Sequence, residues 1–218
     1  LKRIVRRVVD LATATGNVKR SKTLDVTDCV VGPEKNLVAG GQIALIVQKG
    51  VLLLCSAPWN GHFLKEFQAG KFSRRSIIAL DAASGKPLWS GHKGYRSRPI
   101  VVGDTIYAEP WAYDLRTGEA RMRKDPKTGK DAKWEMWRGY GGCGGLAASK
   151  SALFFRSGAL GCYDLVKDDR VQVLGGQRPG CWINFIPANG LLLMPEGSSG
   201  CVCPYAIQCT VAYIPLTR

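Results

Sequence analysis

At 218 residues the chain is long enough for one large or two small domains, and 45% hydrophobic content with 26 glycines and 11 prolines fits many short strands and many turns. No apolar run approaches the ~20 residues of a membrane-spanning helix; the longest, residues 43–57, is broken by Gln48-Lys49-Gly50. A formal net charge of +14 would attract nucleic acid, acidic polysaccharide or an anionic lipid surface, with a merely basic soluble surface as the plain alternative, and no nucleic-acid fold signature accompanies it.

Residues 3–10 alternate basic and apolar side chains, and L-A-T-A-T-G then leads into residues 17–24. This reads as two strands joined by a turn, with Asp10 as the turn aspartate. Residues 28–41 hold Gly32-Pro33 and Gly40-Gly41 and form a connector. Residues 42–47 and 51–57 are apolar strands around a tight turn at Lys49-Gly50. Residues 58–75 are too long for a hairpin and read as a rim loop with room for a helical turn.

The stretch I-I-A-L-D-A-A-S-G-K-P-L-W, residues 77–89, organises the chain. Ile77, Ile78 and Leu80 give a β-prone strand buried on both faces. Asp81 opens a turn because its carboxylate accepts backbone N–H groups two or three residues on. Gly85 closes the turn where a positive φ is needed, and Trp89 offers an apolar plate to a neighbouring sheet. The pattern returns as D-L-R-T-G at Asp114 and Gly118, between strands 111–115 and 119–123, after a hairpin that turns at Gly103-Asp104. Asp164 holds the same place between 161–165 and 171–174, although V-K-D-D lacks the glycine. Residues 125–131 (D-P-K-T-G-K-D) are a charged exposed turn, and Trp134 and Trp137 bracket a short strand or docking segment. A last unit runs from Cys181 through the turn Asn189-Gly190 to residues 191–195, and then from 206 to 214. Internal repetition of this size describes an array or ring whose units bury one another's apolar faces. The expected fold is therefore all-β: one domain over residues 1–218, a β-propeller of four-stranded antiparallel blades. About four to five blades lie in this chain, which starts at Leu1 without a leader-like stretch and is expected to be a mature or trimmed piece.

G-Y-G-G-C-G-G at residues 139–145 matches the dinucleotide pattern G-x-G-x-x-G formally, but the residues that follow read as strands. Without a helix N-terminus to face a pyrophosphate the pattern has no mechanism, and a loop presenting Cys143 to a partner is the better account. Eight cysteines, six of them from Cys143 onward, favour an oxidising compartment and disulfides. The candidates are Cys143, Cys181, Cys201 and Cys203, with a four-sulfur zinc site as the alternative. Cys55, inside L-L-L-C-S, reads as a small buried hydrophobe.

A-L-D-A-A-S-G-K-P-L-W, with A-Y-D-L-R-T-G-E and V-D-L-A-T-A-T-G, resembles the repeat of pyrroloquinoline-quinone (PQQ)-like β-propellers. R-P-G-C-W-I-N-F-I-P and S-S-G-C-V-C-P-Y-A-I-Q resemble a C-terminal segment of large exported bacterial proteins of that group. The resemblance implies a ring of about eight blades in the quinone enzymes, so further blades from the same or another chain are expected. It also raises a PQQ- and calcium-dependent alcohol dehydrogenase. That family's adjacent cysteine pair is missing, because Val202 separates Cys201 from Cys203, and Trp59, Trp111 and Trp182 are the residues available to pave a channel. Only His62 and His92 are present, each near a glycine in loop-like sequence, and there is no G-x-S-x-G elbow. The expected function is a non-enzymatic, extracytoplasmic (periplasmic or secreted) binding or scaffold module with no cofactor. Its rim loops, 58–75 and 122–145, would take a partner protein or an anionic polymer. The quinone-dependent oxidoreductase is the alternative.

Overall fold

A computed structural model describes residues 3–12, 14–31, 42–56, 64–139, 141–168, 170–181, 185–196 and 209–214. A hairpin of β1 (Val5–Leu11) and β2 (Val18–Asp25) comes first. It is followed by a four-stranded antiparallel meander of β3 (Ile43–Gln48), β4 (Val51–Ser56), β5 (Ser76–Asp81) and β6 (Pro87–His92). A short helix, α1 (Leu64–Gln68), lies between β4 and β5. The next meander is β7 (Ile100–Val102), β8 (Thr105–Ala108) and β9 (Trp111–Asp114). A small hairpin, β10 (Met122–Lys124) with β11 (Asp131–Lys133), precedes a second four-stranded meander of β12 (Ala147–Ala148), β13 (Ala152–Ser157), β14 (Ala159–Asp164) and β15 (Val171–Leu174). The last sheet is β16 (Ile186–Ala188), β17 (Leu191–Met194) and β18 (Val211–Tyr213).

The period-two rule of strands explains how these sheets stack. Along β4, Val51, Leu53 and Cys55 point to one side and join Ile106, Ala108, Tyr113 and Leu115 of the following sheet. Leu52 and Leu54 point to the other side and meet Ile4, Val8 and Leu24 around the first hairpin. The same division recurs along the chain. Tyr107 and Ala112 pack against Leu153, Phe155 and Tyr163, while Phe154 and Leu160 turn towards Leu192 and Met194. The β3–β6, β7–β9 and β12–β15 sheets are thus apolar on both faces and sandwiched between their neighbours. The first strands of successive sheets also touch: β3 lies beside β7, β7 beside β12, and β12 beside β16. Sheets that meet along their first strands and stack through their faces are blades set around an axis, the propeller arrangement expected from the repeat.

The first hairpin is the outer half of such a blade, and Leu45 and Val47 of the neighbouring β3 stand 56% and 66% exposed beside it. The fourth strand of the second blade departs from the continuous 119–123 segment expected. Tyr113 bridges Ala120 and Trp111 bridges Glu135, so the outer edge of β9 is paired in two pieces. The β10–β11 hairpin is inserted between them. An outer edge borders solvent, so an insertion there leaves the packed faces intact. The expected helical turn in residues 58–75 is α1.

Chain order forces the two ends of the arc to differ. The tight turns 49–50, 81–85, 103–104, 114–118, 149–151, 164–168 and 189–190 fall at one end. The links 93–99, 109–110 and 158, the ends of β4, β15 and β17 and the start of β12 fall at the other. The first is the turn end, the second the loop end.

Candidate binding face

The turn end is internally satisfied. Asp81 accepts the Ser84 N–H and hydroxyl at 2.6 and 2.7 Å, and the Gly85 N–H closes on the Asp81 carbonyl at 2.8 Å. Asp114 accepts Arg116 and Thr117 N–H groups, both at 2.9 Å, with Gly118 closing on its carbonyl. Asp164 accepts Val166 and Lys167. The hydroxyl and N–H of Ser84 hold the Asp81 carboxyl below its ordinary range, and backbone N–H groups do the same for Asp164. These aspartates fasten backbone and are not free for proton transfer.

Three turns differ from the expectation or were missed. Asp10 is not a turn residue: Ala12 occupies that position, with Gly16 N–H on the Ala12 carbonyl and Ala12 N–H on Asn17, while Asp10 pairs with Arg20. The offset arises because the first turn starts two residues later than the aspartate. Asp125, read as part of a plain charged turn, makes the full pattern with Lys127, Thr128 and Gly129; its spacing to that glycine equals that of Asp81 to Gly85 and was the available signal. In V-K-D-D, Asp168 itself takes the glycine position with φ 50°, and its carboxylate accepts the Trp134 indole N–H and the Tyr163 hydroxyl, both at 2.7 Å.

The tryptophans lock one blade to the next. Trp89 donates to the Leu115 carbonyl at 3.1 Å and lies flat on Gly118, where a Cβ would stand 2.7 Å from the ring. Trp134 reaches the following blade's turn through Asp168. On the first hairpin, Arg20 and Lys22 replace the ring and donate to the carbonyls of Ala82 and Gly85.

The loop end is different in kind. Arg75, Arg96, Arg138, Arg156 and Arg178 are all buried there, and Glu109 is the one buried carboxylate among the described residues. Burial pushes Glu109 up, but Arg138 foremost and then Arg96 outweigh it, so the carboxyl is held below its ordinary range. Arg96 meets it at 3.1 Å and Arg138 through Nε at 2.9 Å, with Ser97 at 3.2 Å. The same two guanidiniums donate to the carbonyls of Gly142 (3.3 Å) and Gly144 (2.8 Å), pinning the glycine-rich segment on both sides of Cys143. Gly141 has φ 72° and its Cβ position lies 3.1 Å from the Gly158 backbone, which accounts for glycine there. The segment runs on into β12 and not a helix, so no dinucleotide site forms. Arg75 donates to the carbonyls of Tyr95 and Arg96, both at 2.9 Å, and stacks 4.2 Å above Phe72; burial lowers it to about 10.

Of the cysteines expected to form disulfides, Cys181 is buried with its Sγ accepting Arg156 Nη1 at 2.9 Å and Arg178 Nη2 at 3.5 Å, and Cys143 sits in the pinned loop. Cys201 and Cys203 lie outside the described residues, as do Trp59 and Trp182. Trp111 begins β9, the third strand of its blade, and therefore stands away from the strands that line the axis. Among the described residues no group of three or more His, Cys, Asp or Glu is arranged to hold a metal, and no helix is long and apolar enough to cross a membrane.

The two rim loops singled out in the sequence meet. Phe67 from α1 and Trp137 from the 134–146 connection lie 5.7 Å apart at 66°, and Trp137 and Trp111 lie 6.5 Å apart at 73°. With Gln68, Ser73 and His92 they line a cleft of about 550 Å³ at the loop end. Trp137 is 36% exposed, and its indole N–H is bound by the Glu135 carboxylate.

Face-stacked antiparallel meanders whose first strands meet define a β-propeller. No family model matches the chain, and no curated protein matches it. Among solved structures it is similar to BamB from Moraxella catarrhalis, at 12% identity and a TM-score of 0.48 over 87% of this chain and 48% of that one. It is also similar to a europium-containing methanol dehydrogenase, at 14% identity and a TM-score of 0.42 over 88% of this chain and 45% of that one. The chain thus spans about half the length of the structures it matches.

Proposed function

We propose that the chain is a non-catalytic, extracytoplasmic binding module without a cofactor, whose loop end takes an anionic polymer. The observation that carries this reading is the group of exposed cations on and after α1 at the loop end, Lys65, Lys71 and Arg74. Asp81, Asp104, Asp114, Asp164 and Asp168 all lie at the turn end, engaged by neighbouring residues. At the loop end the exposed Lys65, Lys71 and Arg74 lie around the buried arginines, with Glu66, Glu135 and the buried Glu109 as the acids among them. A surface of that kind raises the local concentration of polyanions and speeds their encounter. A further blade from the same or another chain would cover Leu45 and Val47.

The test is binding of polyphosphate and of a uronic-acid polysaccharide at 20 mM and 300 mM salt, for the native chain and for K65E/K71E. Binding at low salt that falls steeply with salt, and at least about tenfold weaker association in the double variant, is expected. Salt-insensitive binding, or none at low salt, would overturn the proposal. An absorbance spectrum of the purified native protein serves as the second check, since a copurifying quinone would favour redox chemistry instead.

A further inference from the structure

We infer that the cleft between Phe67, Trp111 and Trp137 is a sugar-stacking subsite, which makes the polymer an acidic polysaccharide. This rests on the polyanion reading above and narrows it. Electrostatics alone does not distinguish phosphate chains, nucleic acids and uronic-acid polymers, because a cationic surface attracts them all. The cleft adds chemistry that does distinguish them.

Its walls are three aromatic rings contributed by three separate stretches of chain: α1, the start of β9 and the 134–146 connection. Phe67 and Trp111 each stand steeply to Trp137, at 66° and 73°. The rings therefore form a box and not a row of parallel plates. Successive bases of a single strand stack on platforms that follow one another along the backbone, which a box with steep walls does not provide. A pyranose is a puckered ring with C–H groups on its faces and hydroxyls around its rim. Its C–H faces suit the negative faces of aromatic rings, while its hydroxyls need hydrogen-bonding groups at the margin. Those are present as Gln68, Ser73 and His92. A volume of about 550 Å³ falls inside the ~300–1,000 Å³ range of small-molecule sites. Trp137 is held in place by the bond from its indole N–H to Glu135, so its exposed face needs no ordering when a ligand arrives. Exposed Lys65 lies in α1 and exposed Lys71 three residues after it, where they can meet the carboxylates of neighbouring sugar units.

The experiment titrates the full chain with a uronic-acid hexasaccharide, with polyphosphate of matched charge and with a single-stranded hexanucleotide, following tryptophan fluorescence and heat. The variants are Trp137→Ala and, from a different element, Phe67→Ala, each checked by its unfolding midpoint; K65E/K71E reports the electrostatic part. The expected result is fluorescence quenching by the hexasaccharide, at least tenfold weaker hexasaccharide binding in both aromatic variants, and unchanged polyphosphate binding. If the aromatic variants bind the hexasaccharide as the native chain does while K65E/K71E weakens both polyanions, the sugar subsite is refuted and the polyanion reading stands. If no polyanion binds at low salt, both fall. A hexanucleotide that depends on Trp137 and binds more tightly than the hexasaccharide would also refute the inference, in favour of base stacking.

Discussion

Glu109 decides whether the loop end holds together, since Arg96 and Arg138 both close on it and both reach onward to the glycine-rich segment. Removing one partner of a buried ionic cluster leaves the others without compensation, typically at a cost of about 3–5 kcal/mol. Glu109→Gln keeps the shape and removes the charge, so its urea unfolding should show a loss of that order, and residues 139–145 should exchange amide protons faster than in the native chain. The turn aspartates act in the opposite regime, at the surface. Asp81, Asp125 and Asp164 are held below the ordinary carboxylate range by Ser84, by Thr128 and Lys127, and by Lys167 and Val166 respectively. A depressed folded-state value means the stabilisation is full above the unfolded value of about 3.9 and is lost as the pH falls through the folded one. Denaturation midpoints should therefore be flat from pH 6 to 5 and decline below about pH 4, with a shallower decline in Asp125→Ala.

Between elements, the unit of cohesion is a tryptophan of one blade on the turn of the next. Gly118 is required twice over, by φ 72° and by the Trp89 ring 2.7 Å from where a Cβ would stand. Gly118→Ala should cost about 1–3 kcal/mol through both strain and overpacking. Trp89→Leu, which vacates the ring position, should make the second substitution cheaper in a double-mutant cycle measured by thermal unfolding. At the next junction Asp168 tolerates a left-handed φ because its carboxylate collects Trp134, Tyr163 and, at 3.5 Å, Arg123. Asp168→Gly relieves the backbone yet abandons these donors, two of them on buried rings. The donors should dominate, with a net loss of about 2 kcal/mol in urea unfolding, although glycine is the residue the turn pattern asks for.

At the scale of the whole molecule, antiparallel meanders alternate their connections between two ends, and the longer described ones, such as 93–99, fall at the end that carries the aromatic cleft. On the polyanion reading proposed above, ionic association takes place at the loop end. Binding there should fall with salt in proportion to the ion pairs made, whereas occupation of the aromatic box by a short neutral oligosaccharide should be nearly salt-independent. Titrating both at 50 and 300 mM salt checks the difference.

The repeat was legible because its cause is local. Asp81 and Asp114 bind N–H groups two or three residues away, and Gly85 and Gly118 supply a φ that other residues resist, so spacing alone carried both the turns and the strands beside them. Ala12 and Asp168 escaped the same reading because each breaks the residue pattern while keeping the backbone geometry, with compensation coming from hydrogen bonds within the turn or from a neighbouring blade. The rim loops were legible as long, basic and aromatic, but not as one site. Phe67, Trp111 and Trp137 are separated by 44 and 26 positions in the chain, and only the stacking of blades brings them together. Arg96 likewise looked like surface charge, because a lone sequence does not show that Glu109 sits beneath it. Local hydrogen bonding and alternation of side chains fixed the strands; burial and long-range pairing, which depend on the completed stack, made the face.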